Sequence, residues 1–157
     1  VANEIADRFD WSVIDSDTLR KDLRRIDHGD HDVDRHPDLY DRETTSTTYS
    51  LLCAQADVLL AAGESVVLDA TWIDDDHRAL ARALAQRHGA DLVEFECRLD
   101  PAIARQRIIE RAWTDASDAT PELVDEMARR RHPWPTAHEL NTSLPAGEVT
   151  IRIGLLG

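Results

Sequence analysis

Short apolar runs and stripes of apolar residues at helical spacing follow one another along this chain. Val1, Ile5 and Ala6 mark one side of a helical segment over residues 1–8. A short apolar strand over 11–14 then ends at Asp15-Ser16-Asp17, and Leu19, Leu23 and Ile26 repeat at helical spacing behind it. This predicts a strand and then a helix with Asp17 as its N-cap. Residues 27–39 are polar and predict a loop. A long helix is expected over 42–62, with Leu52, Ala56, Leu59 and Leu60 on one face and Gly63 as its stop. Val66-Val67-Leu68, closed by Asp69, suits a strand buried on both faces of a parallel sheet.

The Asp74-Asp75-Asp76 cluster can cap the next helix, whose inner face is marked by Leu80, Ala81, Leu84, Ala85 and His88 and which Gly89 ends. Over 92–99, Val93, Phe95, Cys97 and Leu99 alternate with Glu94, Glu96 and Arg98, predicting a strand with one partly solvated face. Asp100-Pro101 opens another helix in the favoured N-cap and N1 arrangement. A further helix is expected from Pro121 to the run Arg129-Arg130-Arg131. Residues 132–145 predict a loop with a short helix near 136–140, anchored by Trp134, and 149–153 a last strand. Strands alternating with helices, without an internal repeat, predict one α/β domain built on a parallel sheet.

The chain has 157 residues, 42% apolar and 31% charged, enough for one self-sufficient core. No apolar run approaches the ~20 residues of a membrane span, and no basic segment leads into a signal-like apolar stretch. Cys53 and Cys97 lack C-x-x-C spacing and read as reduced core residues of a cytoplasmic protein. The net charge of −13 argues against non-specific nucleic-acid binding, but clustered arginines could still hold a small anion. The basic residues are 17 arginines and one lysine, Lys21. With Val1 inside a helical pattern and no initiator Met, the chain reads as a fragment.

Three groups of residues could carry chemistry. Ligands of open parallel sheets bind beyond the carboxyl ends of the strands, where Asp15, Asp17 and Asp69 fall; carboxylates there can hold Mg²⁺ or accept a hydroxyl proton. From spacing alone, simple capping of a helix or turn is the favoured reading for Asp15 and Asp69, and for Asp17 the two roles are compatible. Arg107 and Arg111, four apart, share a helix face near Arg105 and could surround a migrating phosphoryl group, or form a solvated face paired with acids such as Glu110. His28, His31 and His36 have metal-ligand composition, yet no regular element fixes them, and a polar substrate-lining loop is the favoured reading.

The segments 13–21, 66–72 (Val-Val-Leu-Asp-Ala-Thr-Trp) and 107–111, with Ser117-Asp118-Ala119 following, resemble the small P-loop kinases of the AAA-domain type, a group that includes zeta toxins, polynucleotide kinase and gluconate-kinase-like enzymes. The nearest likeness is to a bacterial module behind an aminoglycoside-phosphotransferase-like domain. The resemblance implies a three-layer P-loop NTPase-like α/β fold using ATP and Mg²⁺. It implies Asp17 as the base for the acceptor hydroxyl and Arg20 as a substrate or phosphate ligand. Asp69 would act on Mg²⁺ directly or through water, Thr71 would lie beside the nucleotide, and Arg107 and Arg111 would belong to a lid over about 105–131.

One departure stands out. The phosphate loop G-x-x-x-x-G-K-[ST] is not in this sequence, and Lys21 lies in the wrong context. The expectation is that this loop and the first strand precede Val1, that the strand would lie between those at 66–68 and 92–99, and that the fragment alone is less stable and binds nucleotide poorly. The implied reaction moves the γ-phosphoryl group of ATP to a hydroxyl on a small molecule, within a longer chain carrying an upstream domain. The alternatives are a non-catalytic nucleotide-sensing module and, less favoured, a toxin-like kinase acting on a nucleotide sugar.

Overall fold

The computed structural model describes residues 1–28, 42–111 and 127–143, without the side chains of 24–28, 42, 110 and 111. The element order is α1 (Ala2–Phe9), β1 (Ser12–Asp15), α2 (Ser16–His28), α3 (Arg42–Ala61), β2 (Val66–Asp69), α4 (Asp75–His88), β3 (Phe95–Arg98), α5 (Pro101–Arg111) and β4 (His138–Asn141). One compact body comprises residues 2–72 and 76–91; the other comprises Val1, 73–75 and the chain from Leu92 onward.

In the first body β1 and β2 pair in parallel, in the register Ser12↔Val66 through Asp15↔Asp69. Parallel neighbours need a crossover, and α2 with α3 supplies it. Helices α1 and α3 pack on both strands, and α2 packs on α3. The core gathers Ile5, Ile14, Leu19, Leu52, Ala56, Leu84 and Ala85, with Tyr49 and Trp72.

Two helix stops fall where glycine predicted them. Gly63 has φ 81° and Gly89 φ 61°. After α3, Gly63 N–H donates to the Leu60 carbonyl and Glu64 N–H to that of Leu59, both at 3.0 Å. Gly89 and Ala90 repeat the arrangement on Gln86 and Ala85 after α4, so the left-handed turn satisfies carbonyls the helix leaves open. At the end of α1, Asp10 takes the same conformation, φ 56°, and Trp11 N–H donates to the Ala6 carbonyl at 3.0 Å.

Several expectations need correction here. Val66, Val67 and Leu68 are half-buried rather than enclosed on both faces, because among the described residues β2 has a strand on one edge only. On α4 the buried stripe is Arg78, Ala81, Leu84 and Ala85, while Leu80 is exposed. His88 instead turns to the Asp57 carboxylate, 2.7 Å away.

The second body pairs β3 in parallel with β4, from Phe95↔His138 to Arg98↔Asn141. A loop with a short helix was expected over 136–140, since His-Glu-Leu-Asn has little β preference. Backbone bonds make it a strand: His138 N–H donates to the Glu94 carbonyl at 2.8 Å and Thr142 N–H to that of Arg98 at 2.9 Å. The strand expected over 92–99 is confined to Phe95–Arg98, and its faces are reversed. Glu96 is the buried residue, held by Arg98 at 2.9 Å and Arg131 at 3.1 Å, while Cys97 and Val93 are exposed. Two guanidinium partners make burial of that carboxylate tolerable. Cys97 is therefore not a core residue, and Cys53 is only half-buried. Helix α5 starts as expected, with the Asp100 carboxylate accepting from Ala102 N–H at 2.8 Å. The expected strand at 149–153 lies outside the described residues.

Candidate active site beyond the ends of the first two strands

Helix α2 begins directly after β1, so the cap falls two residues before Asp17. Asp15 is the N-cap: its Oδ1 accepts from Thr18 N–H at 2.7 Å and from the Thr18 hydroxyl at 2.8 Å. Asp17, expected as the cap, sits in the first turn with 68% of its side chain exposed. Its Oδ1 accepts from Arg20 Nη1 at 3.0 Å, and the Arg20 side chain is 9% exposed. A nearly immobilised guanidinium thus steers an accessible carboxylate, and both expected site residues of this segment meet each other.

Register places Asp69 beside Asp15 at the carboxyl ends of the paired strands. The Asp69 carboxyl titrates above the ordinary carboxylate range, first because it is partly desolvated and next because Asp15 and Asp17 repel its charge. Proton linkage gives the sign. The folded state holds the Asp69 proton more tightly than the unfolded chain, so stability falls as pH rises from about 4 through the raised folded value. Asp69→Asn has no such loss. Its stability relative to wild type, measured by denaturant titration, should rise across that window; a pH-independent difference would contradict the raised Asp69 pKa.

The turn after β2 is fixed from three sides. Trp72 has φ 48°, a conformation that a bulky residue keeps only when its surroundings hold it. Its N–H donates to the Tyr49 hydroxyl at 2.9 Å, its carbonyl accepts from Arg78 Nε at 2.8 Å, and its indole N–H reaches the Leu68 carbonyl at 3.4 Å. The Tyr49 hydroxyl also lies 3.2 Å from Thr71 Oγ1, and its ring stacks on His77 with centroids 3.9 Å apart. Thr71 itself is exposed.

Tyr49, His77 and Arg78 were not singled out from sequence. Arg78 carried a usable signal, because it precedes Ala81 and Ala85 by three and seven residues on the apolar stripe of α4.

The expected lid residues belong to the second body. Arg107 is half-buried, and its Nη1 donates to the Thr142 carbonyl at 3.0 Å, tying α5 to the chain just after β4. The Arg111 side chain, the His28 side chain, His31 and His36 lie outside the described residues. Among the described residues no group of three or more His, Cys, Asp or Glu side chains is placed to hold a metal ion, and no helix is long and apolar enough to cross a membrane.

Comparison with known proteins identifies the family and the fold. An uncharacterized protein of Mycobacterium tuberculosis (strain ATCC 25618 / H37Rv) is 35% identical over 147 residues, which is 92% of this chain. The chain spans only 29% of that curated relative's length. Among solved structures, a protein from Chloroflexus aurantiacus described as a candidate kinase superposes with a TM-score of 0.68 at 16% identity, covering 99% of this chain and 87% of that one. A gluconokinase from Sinorhizobium meliloti gives 0.67 at 13% identity, covering 96% and 78%. The parallel strands and crossover helices thus form a P-loop kinase-like α/β fold. With a family profile matching residues 1–134, the chain belongs to the AAA domain family AAA_33.

Proposed function

We propose that this chain is the acceptor-binding and base-bearing part of an ATP-dependent kinase, which moves the γ-phosphoryl group to a hydroxyl on a small molecule. The observation that carries the reading is Asp17, an exposed carboxylate steered by a nearly buried Arg20 just beyond a strand end. A carboxylate so placed can take the proton of an attacking hydroxyl, and a fixed guanidinium beside it can hold the acceptor or a phosphate oxygen.

Asp69 is the group that would hold Mg²⁺. A single carboxylate suits that ion, which keeps waters and phosphate oxygens as its other ligands, and repulsion from Asp15 and Asp17 favours a cation there. Bound Mg²⁺ supplies charge neutralisation on the phosphates. Arg107 and Arg111 would close over the nucleotide, Arg107 after releasing the Thr142 carbonyl. The acceptor, a cytoplasmic setting and an upstream domain in the same polypeptide are part of this proposal. So is a phosphate loop supplied upstream of Val1, a reading supported by the one-sided pairing of β2 and β3 among the described residues.

The second reading is a nucleotide-sensing module without transfer chemistry, which a degenerate phosphate loop upstream would favour and a complete one would count against. Calorimetric titration of Mg·ATP into this chain, and into one extended upstream by about 30 residues (roughly one βα unit), tests the kinase reading. Binding by the extended chain alone supports it. Binding by neither removes it.

A further inference from the structure

We propose that Tyr49 is a positioning residue that turns the Thr71 hydroxyl into a hydrogen-bond donor for an anionic phosphate oxygen of the bound nucleotide, an inference that rests on the kinase reading above. The protons available fix the direction of each bond. The Trp72 backbone N–H can only donate, so the Tyr49 oxygen 2.9 Å away accepts there. The phenol keeps one proton of its own, and the hydrogen-bond acceptor described for it is Thr71 Oγ1 at 3.2 Å. Donation to Thr71 occupies a lone pair on Oγ1 and leaves the Thr71 proton pointing away from Tyr49.

The opposite polarity, Thr71 donating to Tyr49, would leave the phenol proton without an acceptor on a side chain only 2% exposed, which is costly. Thr71 is exposed two residues beyond Asp69, and among the described residues Tyr49 is its hydrogen-bond partner. The result is an outward donor at the end of a chain running from Trp72 N–H through Tyr49 to Thr71, each bond polarising the next. Such a donor fits an oxyanion.

Tyr49 and the Trp72 backbone are held in place. Tyr49 stacks on His77 with an interplanar angle of 7° and meets the Trp72 ring at 5.0 Å. The buried Arg78 holds the Trp72 carbonyl at 2.8 Å.

A double-mutant cycle in the full-length gene product tests this, read as the calorimetric Kd for Mg·ATP. Tyr49→Phe keeps the ring and removes the hydroxyl that accepts from Trp72 N–H and donates to Thr71; Thr71→Val keeps the shape and removes the hydroxyl. Thr71→Val should weaken binding by about tenfold, as expected for a hydrogen bond to a charged group, and Thr71→Ser should restore it. Tyr49→Phe should weaken binding in the wild-type background and cost clearly less in the Thr71→Val background, because the part of its effect that passes through that hydroxyl is already lost there.

Additive losses, or a Tyr49→Phe protein that binds like wild type, would overturn the inference while leaving the kinase reading intact. If Tyr49→Phe does not fold, the threonine pair decides: equal affinity of the Val and Ser variants overturns the inference. Absence of Mg·ATP binding by the wild type overturns the kinase reading itself, and this inference with it.

Discussion

Asp17→Asn in the full-length gene product should lower kcat by about a hundred- to ten-thousand-fold, the range for a lost general base, while the Kd for Mg·ATP changes by less than about twofold. The asparagine carbonyl still accepts a hydrogen bond from Arg20, so the side chain keeps its place and loses only its basicity. The split between kcat and nucleotide affinity is the diagnostic. A carboxylate that merely favoured the start of α2 would leave kcat untouched, since Asp15 rather than Asp17 satisfies the open N–H of that helix. Rapid-quench measurement of a single turnover places the loss in the chemical step. Unchanged single-turnover rates would end the general-base assignment.

Arg78→Met should be the most damaging single change to the fold near the site. Arg78 is 1% exposed and its Nε donates to the Trp72 carbonyl at 2.8 Å. Methionine fills much of the volume but cannot donate, so a buried carbonyl is orphaned at a cost of about 1–3 kcal/mol. A residue at φ 48° also loses one of the bonds that hold it there, which adds to the loss. Denaturant titration should show this fall in stability. A stability within about 0.5 kcal/mol of wild type would mean that the turn holds itself. Activity should fall as well in the kinase reading, because the same turn carries Thr71 away from Asp69.

What could be read in the sequence was largely local. Gly63 and Gly89 stop α3 and α4 because a left-handed residue is needed there, and Asp100-Pro101 opens α5 by the same kind of short-range chemistry. The ends of β1 and β2 were legible because an apolar run closed by a carboxylate spans few residues. Tertiary partners account for the rest. The burial of Glu96 depends on Arg131, which arrives from 35 positions away, so alternation within β3 pointed to the wrong face. Strand β4 exists through its register with β3, and its own residues do not announce it. Tyr49 and Trp72 meet across 23 positions. Asp17 was legible from its place beyond a strand end and Arg20 only through the family resemblance, and of the two aspartates that could cap α2 it is Asp15, two residues before Asp17, that does so.

The reversal of the two faces of β3 has a practical consequence for chemical labelling. Cys97 faces solvent, whereas the Cys53 thiol is half-buried, and desolvation raises its pKa above the ordinary thiol value. Thiolate is the reactive form, so at pH 7 a maleimide dye should attach first at Cys97. Peptide mapping after brief exposure should find it there and not at Cys53. This chain thereby carries a preferred attachment point on the body that also bears α5, where a dye can be placed without substituting any residue of the chain.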